Sequence, residues 1–390
     1  MLNKKSLEYM DNPVKNKILK ELSTIGVSDV FGMGISAIFW FFIASQVEVE
    51  EYGEIHYFIA IASFAFIVSL IGTQNAITVF TAKKIKIQST LFLISLIGGF
   101  VSFTIILITL QKFDIGALVI AYIINEMALS YIIGKKLYSE YSKNILLQKI
   151  LTVVFGLSFY YFFGIEGIIF GLALSYSHFI IIVYKGFKEN KINFSLLKPH
   201  KEFIINNYMA NLVNVLRNNL DKILIVPLAG FVTLGNYALA MQVFAILIIP
   251  SELVLKYILP QDASDSSKVE LKRSIILVSV GLTIFGIVVL PVLIEYLFPE
   301  YIESLDAIRI ISISAIPTTI GYLLVSKLLS EEKSKFILYG RLTSMAVFIS
   351  TLLILTPLLG ISGIALSFVF STTSQTLFFL LVYKIVIIKQ

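Results

Sequence analysis

The side chains with the most chemistry to offer lie where an apolar chain needs none. Between Ile204 and Gly230, a stretch long and apolar enough to cross a bilayer, Asn207, Asn211, Asn214, Asn218 and Asp221 are spaced by four, three, four and three. On a helix that spacing is one narrow stripe, and Arg217 and Lys222 flank it. An ionised side chain near the bilayer centre costs on the order of 3 kcal/mol even on lenient insertion scales, so this face is expected to look into protein or water rather than lipid. It predicts a solute path lining a central cavity. The plainer alternative has the asparagines bridge neighbouring helices and Arg217 neutralise Asp221 as a pair four residues apart.

A second chemistry comes from carboxylates. Glu126 stands beside Asn125 near the middle of the fourth apolar segment, Asp221 lies on the stripe, and Asp29 falls one turn into the first segment. Carboxyls that change protonation or hold a cation can couple transport to a proton or sodium gradient, so these three are the ion-coupling candidates. A capping or interfacial role competes for Asp29. Polar clusters at Gln74, Asn75 and Thr78 and at residues 371–375 could touch a solute or bridge helices. Pro250 and Pro317 each remove a backbone hydrogen bond and are hinge candidates, against tolerated irregularity; Glu252 and Lys256, just after Pro250, have the spacing of a local ion pair.

Catalysis finds no footing. His178 is the one histidine well inside an apolar segment, no histidine pair has metal-ligand spacing, and no Ser, His, Asp set can be assembled. There is no cysteine, which excludes disulfides and thiolate metal sites. Neither catalytic residues, a metal nor a cofactor is expected.

The elements that must position these groups follow from composition. With 57% hydrophobic and 14% charged residues over 390 positions and a mean hydropathy of +0.89, the chain is read as an all-α integral membrane protein. Stretches of roughly 20 apolar residues fall at 26–45, 57–79, 88–110, 115–137, 145–163 and 167–187, then 203–228, 235–258, 271–297, 305–329, 336–355 and 363–388. These twelve segments group as a 1–25 cytoplasmic N-terminal part, a 26–187 six-helix bundle, a 188–202 solvated linker and a 203–390 six-helix bundle, the two bundles enclosing the central cavity. Of the 31 Lys and Arg residues, all but Lys112, Arg309, Arg217 and Lys222 fall in alternate loops, Lys149 counted among them. That sorting puts both termini in the cytoplasm. It also accounts for the net charge of +6 without nucleic acid. The N-terminal residues are basic and polar with no cleavable-signal pattern, so the first segment is expected to be its own insertion signal.

The halves echo each other. GIEGIIFGLALS from Gly164 aligns with GISGIALSFVFS from Gly360, and less clearly YGEIHYFIAIAS from Tyr52 with LGNYALAMQVFA from Leu234. Both copies share a helix polarity, which marks a parallel repeat.

Three stretches carry a resemblance. EEYGEIHYFIAIASFAFIVSLIGTQNAITVF from Glu50, NNLDKILIVPLAGFVTLGNYALA from Asn218 and FPEYIESLDAIRIISISAIPTTIGYLL from Phe298 resemble, in order and spacing, the O-antigen-type polysaccharide flippases of the multidrug, oligosaccharidyl-lipid and polysaccharide exporter superfamily. The resemblance implies alternating access and a lipid-linked oligosaccharide on a polyprenyl pyrophosphate, moved outward across the cytoplasmic membrane of a prokaryote. It brings membrane lipids, a glycan polymerase and glycosyltransferases as partners. A cavity for such a head group wants amides for sugar and cations for phosphate: Asn207, Asn211, Asn214 and Asn218, with Arg217 and Lys222. Two other functions compete, a multidrug cation antiporter of the same superfamily and an integral-membrane glycan-assembly enzyme; the short outer loops count against the enzyme.

Overall fold

The computed structural model describes residues 12–263, 269–331 and 333–387; within these, the side chains of residues 12–25 and of a few positions that include Asn214, Arg217, Asn218 and Lys256 lie outside the description. The described residues form helices throughout: α1 Asn12–Ala44, α2 Val49–Leu70, α3 Thr73–Ala82, α4 Gln88–Leu110, α5 Phe113–Gly134, α6 Tyr138–Phe163, α7 Ile165–Ser175, α8 Phe179–Lys188, a 3-10 turn Phe194–His200, α9 Lys201–Ala263, α10 Val269–Leu297, α11 Ser304–Ser312, α12 Ala315–Ser330, α13 Ser334–Leu359 and α14 Ile361–Val382. Hydrocarbon offers backbone groups no partner, and helices satisfy them internally.

Among the described residues ten helices are long and apolar enough to cross a membrane, and the pair α11 and α12, bent by 40°, makes an eleventh if it is one span. The 63 residues of α9 would reach about 95 Å as a straight helix, three times a bilayer's hydrocarbon core. Gly230 (φ 82°, ψ 176°) breaks it into two legs. The fold is all-α, and with the two legs of α9 taken separately its spans are roughly consistent with the twelve expected.

Several segments differ from their sequence outline. The second divides into α2 and α3 because Ile71 (φ 49°) and Gly72 (φ 75°) both take left-handed backbone. The sixth divides into α7 and α8 at a turn that includes His178, whose Nδ1 lies 3.2 Å from the Ser175 carbonyl. Within α9 the non-helical position is Gly230, and Pro250 keeps helical geometry. The bend before α12 lies at Ile313 and Ser314, with Pro317 in the first turn of the helix that follows. Lys149 is not in a loop but well inside α6.

The chain forms two compact units, one made of the chain through Phe39 with Tyr57–Asp221, the other of Trp40–His56 with Lys222–Gln390. Their boundaries fall inside α1, α2 and α9. In the first unit the segment between α8 and α9, expected to be a solvated linker, has no buried residue and touches the helices at two points: the Asn193 amide donates to Thr90 Oγ1 at 2.8 Å, and the His200 ring meets Phe80 at 4.4 Å.

The duplication is written in the backbone. Gly164 (φ 68°, ψ −151°) and Gly360 (φ 56°, ψ −133°) make the same turn, between α6 and α7 and between α13 and α14. Three residues on, a Cβ on Gly167 or Gly363 would lie 2.2 Å from the carbonyl oxygen of Phe159 or Leu355. The weaker pair of the repeat meets directly within the second unit. A Cβ on Gly53 would sit 2.0 Å from the Phe231 carbonyl oxygen, and one on Gly235 would sit 2.0 Å from that of Val49. Each glycine thus receives the backbone one turn before the other, the close approach that membrane helices use in place of a hydrophobic drive.

Candidate functional site

The first unit gathers polar side chains from five helices. On α3, Gln74 and Asn75 face the first turns of α9: Asn75 Nδ2 donates to Asn207 Oδ1 at 3.1 Å, and Asn211 Nδ2 donates to Gln74 Oε1 at 3.0 Å. The break at Ile71 and Gly72 makes this possible, since a Cβ on Gly72 would meet the Ile204 carbonyl oxygen at 2.3 Å. Gln74 also hydrogen-bonds Glu126 of α5, and Ser130 Oγ donates to Glu126 Oε1 at 3.2 Å. Thr78 Oγ1 donates to the Ser130 carbonyl at 3.2 Å. Two features picked separately from the sequence, the α3 cluster and the α9 stripe, therefore converge on one carboxylate.

Asp29 of α1 joins from the other side. Tyr141 of α6 donates a hydrogen bond to Asp29 and lies within electrostatic reach of Glu126 as well. The Lys149 ammonium is close enough to Asp29 for their charges to couple. Tyr141, Ile145 and Lys149 recur every four residues, so they share one face of α6, and Ile145 and Lys149 pack beside Gly32 of α1. The competing capping role for Asp29 gives way to a side-chain partnership.

The array runs from Lys149 through Asp29, Tyr141, Glu126 and Gln74 to Asn211. Glu126 lies about 12 Å of helix axis from the Gly134 end of α5, in the half of the span nearer the basic loops. Beside it in sequence, the Asn125 side-chain oxygen is buried with no hydrogen-bond partner. Glu126, held by the neutral donors Ser130 and Gln74, is a group that can take up and release a proton or a small cation.

Other candidates lie elsewhere. Asp221 is buried at 7% exposure, yet it stands about 15 Å along the helix axis from Asn211 and so outside the array. Lys222 opens the second unit, where its charge reaches His56. That histidine packs with Trp40 and Tyr52 at centroid distances of 4.7 and 4.5 Å, and Tyr301 stands edge-on to Tyr52 at 5.9 Å. Glu252 accepts from Tyr322 Oη at 3.1 Å, while its sequence partner Lys256 lies outside the described side chains. Arg217, Asn214 and Asn218 lie outside them too. Among the described residues no cluster of three metal-ligating side chains occurs.

The path of the chain through its crossings matches known structures. A multidrug resistance transporter of the MATE family in the MOP superfamily, in an inward-facing conformation, superposes with a TM-score of 0.71 over 90% of this chain and 93% of its own, at 14% sequence identity. A Vibrio cholerae MATE transporter matches at 0.64 over 96% and 98%, again at 14% identity. The fold is that of the MATE transporters. Also similar, with a TM-score of 0.61 over 93% and 94% at 14% identity, is a MOP superfamily transporter from Pyrococcus furiosus, described as having a binding pocket of reverse polarity that suggests a different function. No sequence family and no curated protein matches the chain at the level of sequence.

Sequence reasoning missed Tyr141 and Lys149 in this MATE-type fold. The signal was there in α6, which carries Tyr141, Gln148, Lys149 and Thr152 inside an apolar run. It holds two polar faces: one toward Asp29, and another where Gln148 Nε2 donates to Thr152 Oγ1 at 2.8 Å and Ser175 Oγ at 3.2 Å.

Proposed function

We propose that this chain is a flippase that moves a lipid-linked oligosaccharide on a polyprenyl pyrophosphate from the cytoplasmic to the outer leaflet by alternating access. The membrane on this reading is the cytoplasmic membrane of a prokaryote, with the basic loops and both termini inside. The observation that carries it is the chemistry of α9 within a MATE-type fold: a row of carboxamides, Asn207, Asn211, Asn214 and Asn218, accompanied by the cations Arg217 and Lys222. Carboxamides suit sugar hydroxyls, and a guanidinium suits phosphate. That a transporter of this fold is described as having a binding pocket of reverse polarity supports a pocket whose charge differs from one member of the fold to another. Glu126 and Asp29 supply the coupling to a proton or sodium gradient. The glycosyltransferases and polymerase of the same glycan would work alongside.

A second function, a multidrug cation antiporter, draws on the pair Glu126 and Asp29, since a carboxylate array also suits an organic cation, and on the multidrug neighbours. One substitution separates the two. Arg217→Ala is expected to leave protein levels near normal while lipid-linked oligosaccharide accumulates on the cytoplasmic side and surface glycan falls. Unchanged glycan, together with efflux of cationic dyes by the reconstituted protein, would replace the flippase with the antiporter.

A further inference from the structure

Away from the polar array, the first unit carries an aliphatic groove. Two apolar cavities, of about 230 and about 410 Å³, share Ile71 and Ile94 and so run together. One wall is the end of α2 at Val68 and Ser69; the other is α4. The floor is narrow because α2 and α4 nearly touch: a Cβ on Gly98 would lie 2.3 Å from the Ser69 carbonyl oxygen, and Ser69 Oγ donates to Ser102 Oγ at 2.7 Å. Ile97, Val101 and Ile105 stay more than half exposed along it. From Leu91 to Ile105 the groove follows α4 for about 21 Å, longer than the ~15 Å of hydrocarbon in one leaflet.

Its end is charged. The cavity beside Ile71 is closed by Leu197, Lys198, Lys201 and Ile204, and neither lysine has an ion-pair partner among the described residues. Lys198 belongs to the segment between α8 and α9, which also exposes Ile192 and Phe194, and Lys201 opens α9. Aliphatic and aromatic tips interleaved with lysines are the composition of a backbone lying at head-group depth. An aliphatic channel long enough to take an acyl chain across one leaflet, ending in two ammonium groups with no ion-pair partner among the described residues, is complementary to one kind of molecule.

We infer that this groove holds an anionic phospholipid, with one acyl chain between α2 and α4 and its phosphate on Lys198 and Lys201. The site does not depend on what the protein transports.

The test is mass spectrometry of the full-length protein released from micelles doped with phosphatidylglycerol or phosphatidylcholine. Phosphatidylglycerol is expected to be retained about 30-fold better, the preference two near-surface lysines confer. Lys198→Ala with Lys201→Ala should bring the two lipids level. Val101→Trp, on the exposed wall and harmless to the packed floor, should lower retention of both while keeping the preference for the anionic lipid; circular dichroism checks that each variant is folded. Equal retention by the wild type overturns the inference, as does a preference that survives loss of both lysines. So does displacement by glycerol phosphate as effective as by the lipid, which would leave the chain no part in binding. Displacement by a polyprenyl phosphate far below the concentration needed for phosphatidylglycerol would reassign the groove to a different lipid.

Discussion

Two acidic side chains, one in each compact unit, show how differently a membrane protein can hold a carboxylate. Asp262, at the end of α9, has a side chain with no exposure and is gripped by Lys272 Nζ at 2.6 Å and by Ser326 Oγ at 2.8 Å. Glu126, in the first unit, has Ser130 Oγ at 3.2 Å and Gln74, both neutral donors. A cation at salt-bridge distance favours the ionised form and ties three helices, α9, α10 and α12. Neutral donors serve the charged and protonated forms more evenly. The difference separates a structural clamp from a group able to change state.

Breaking the clamp should have the largest effect. Asp262→Ala leaves the Lys272 ammonium without its carboxylate, and is expected to cost about 3 kcal/mol, read as a lower thermal midpoint in detergent; adding Lys272→Met should recover most of it. An unchanged midpoint in the single variant would remove Asp262 from the structural side of the comparison. Gln74→Leu takes a hydrogen-bond partner from both Asn211 and Glu126, a loss of about 2 kcal/mol, and should also disturb transport because it reaches the array.

Glu126→Gln sharpens the contrast from the opposite direction. The amide keeps the size and hydrogen-bonding reach of the carboxylate, so stability should move by less than about 1 kcal/mol. Transport by reconstituted protein should lose its dependence on pH or sodium. A Glu126→Gln profile that overlays the wild type would take Glu126 out of coupling.

The smallest effect is expected at a third carboxylate, on the surface. Burial pushes Glu189 up, but hydrogen bonds from Lys135 and Tyr131 outweigh it and hold the carboxyl below its usual range, with Lys135 Nζ at 2.7 Å. Its folded value is depressed, so its stabilising contribution is complete above about pH 4.3 and is lost as pH falls through the folded value. Both side chains are 36% exposed, and solvent screening limits the pair to about 0.5 kcal/mol. Comparing Glu189→Gln with wild type near pH 7 and near pH 3 measures it; a difference that grows on acidification would reverse the assignment.

Much of this architecture was legible because its causes are local. Gly164 and Gly360 open the repeated turns since a positive φ is easy only for glycine, and their sequence echo survives in GIEG and GISG. The break after Leu70 was less legible, because Ile71 gives no sign of left-handed backbone. Asn207 and Asn211 were recognisable as polar intrusions, yet as a stripe they left helix bridging and solute binding open. The structure finds both asparagines bridging to α3, and finds that the bridge ends on Glu126. Lys149 went unread as a site residue because the charge sorting assigned it to a loop although the segment 145–163 already enclosed it, and only the helix packing shows it beside Asp29.

What the sequence determined by itself is the solvent and the count: a chain this apolar, broken by polar residues at bilayer intervals, has to cross a membrane about twelve times in two echoing halves. Hydrocarbon penalises a polar group wherever on a helix it stands, so the crossings and their exceptions are visible one residue at a time. Only the tertiary structure decided which exceptions meet. Whether Glu126 faces Gln74 or Asp262 faces Lys272 depends on helix rotation and on close contacts between glycine and backbone from distant segments, and those are properties of pairs of helices that no single stretch contains.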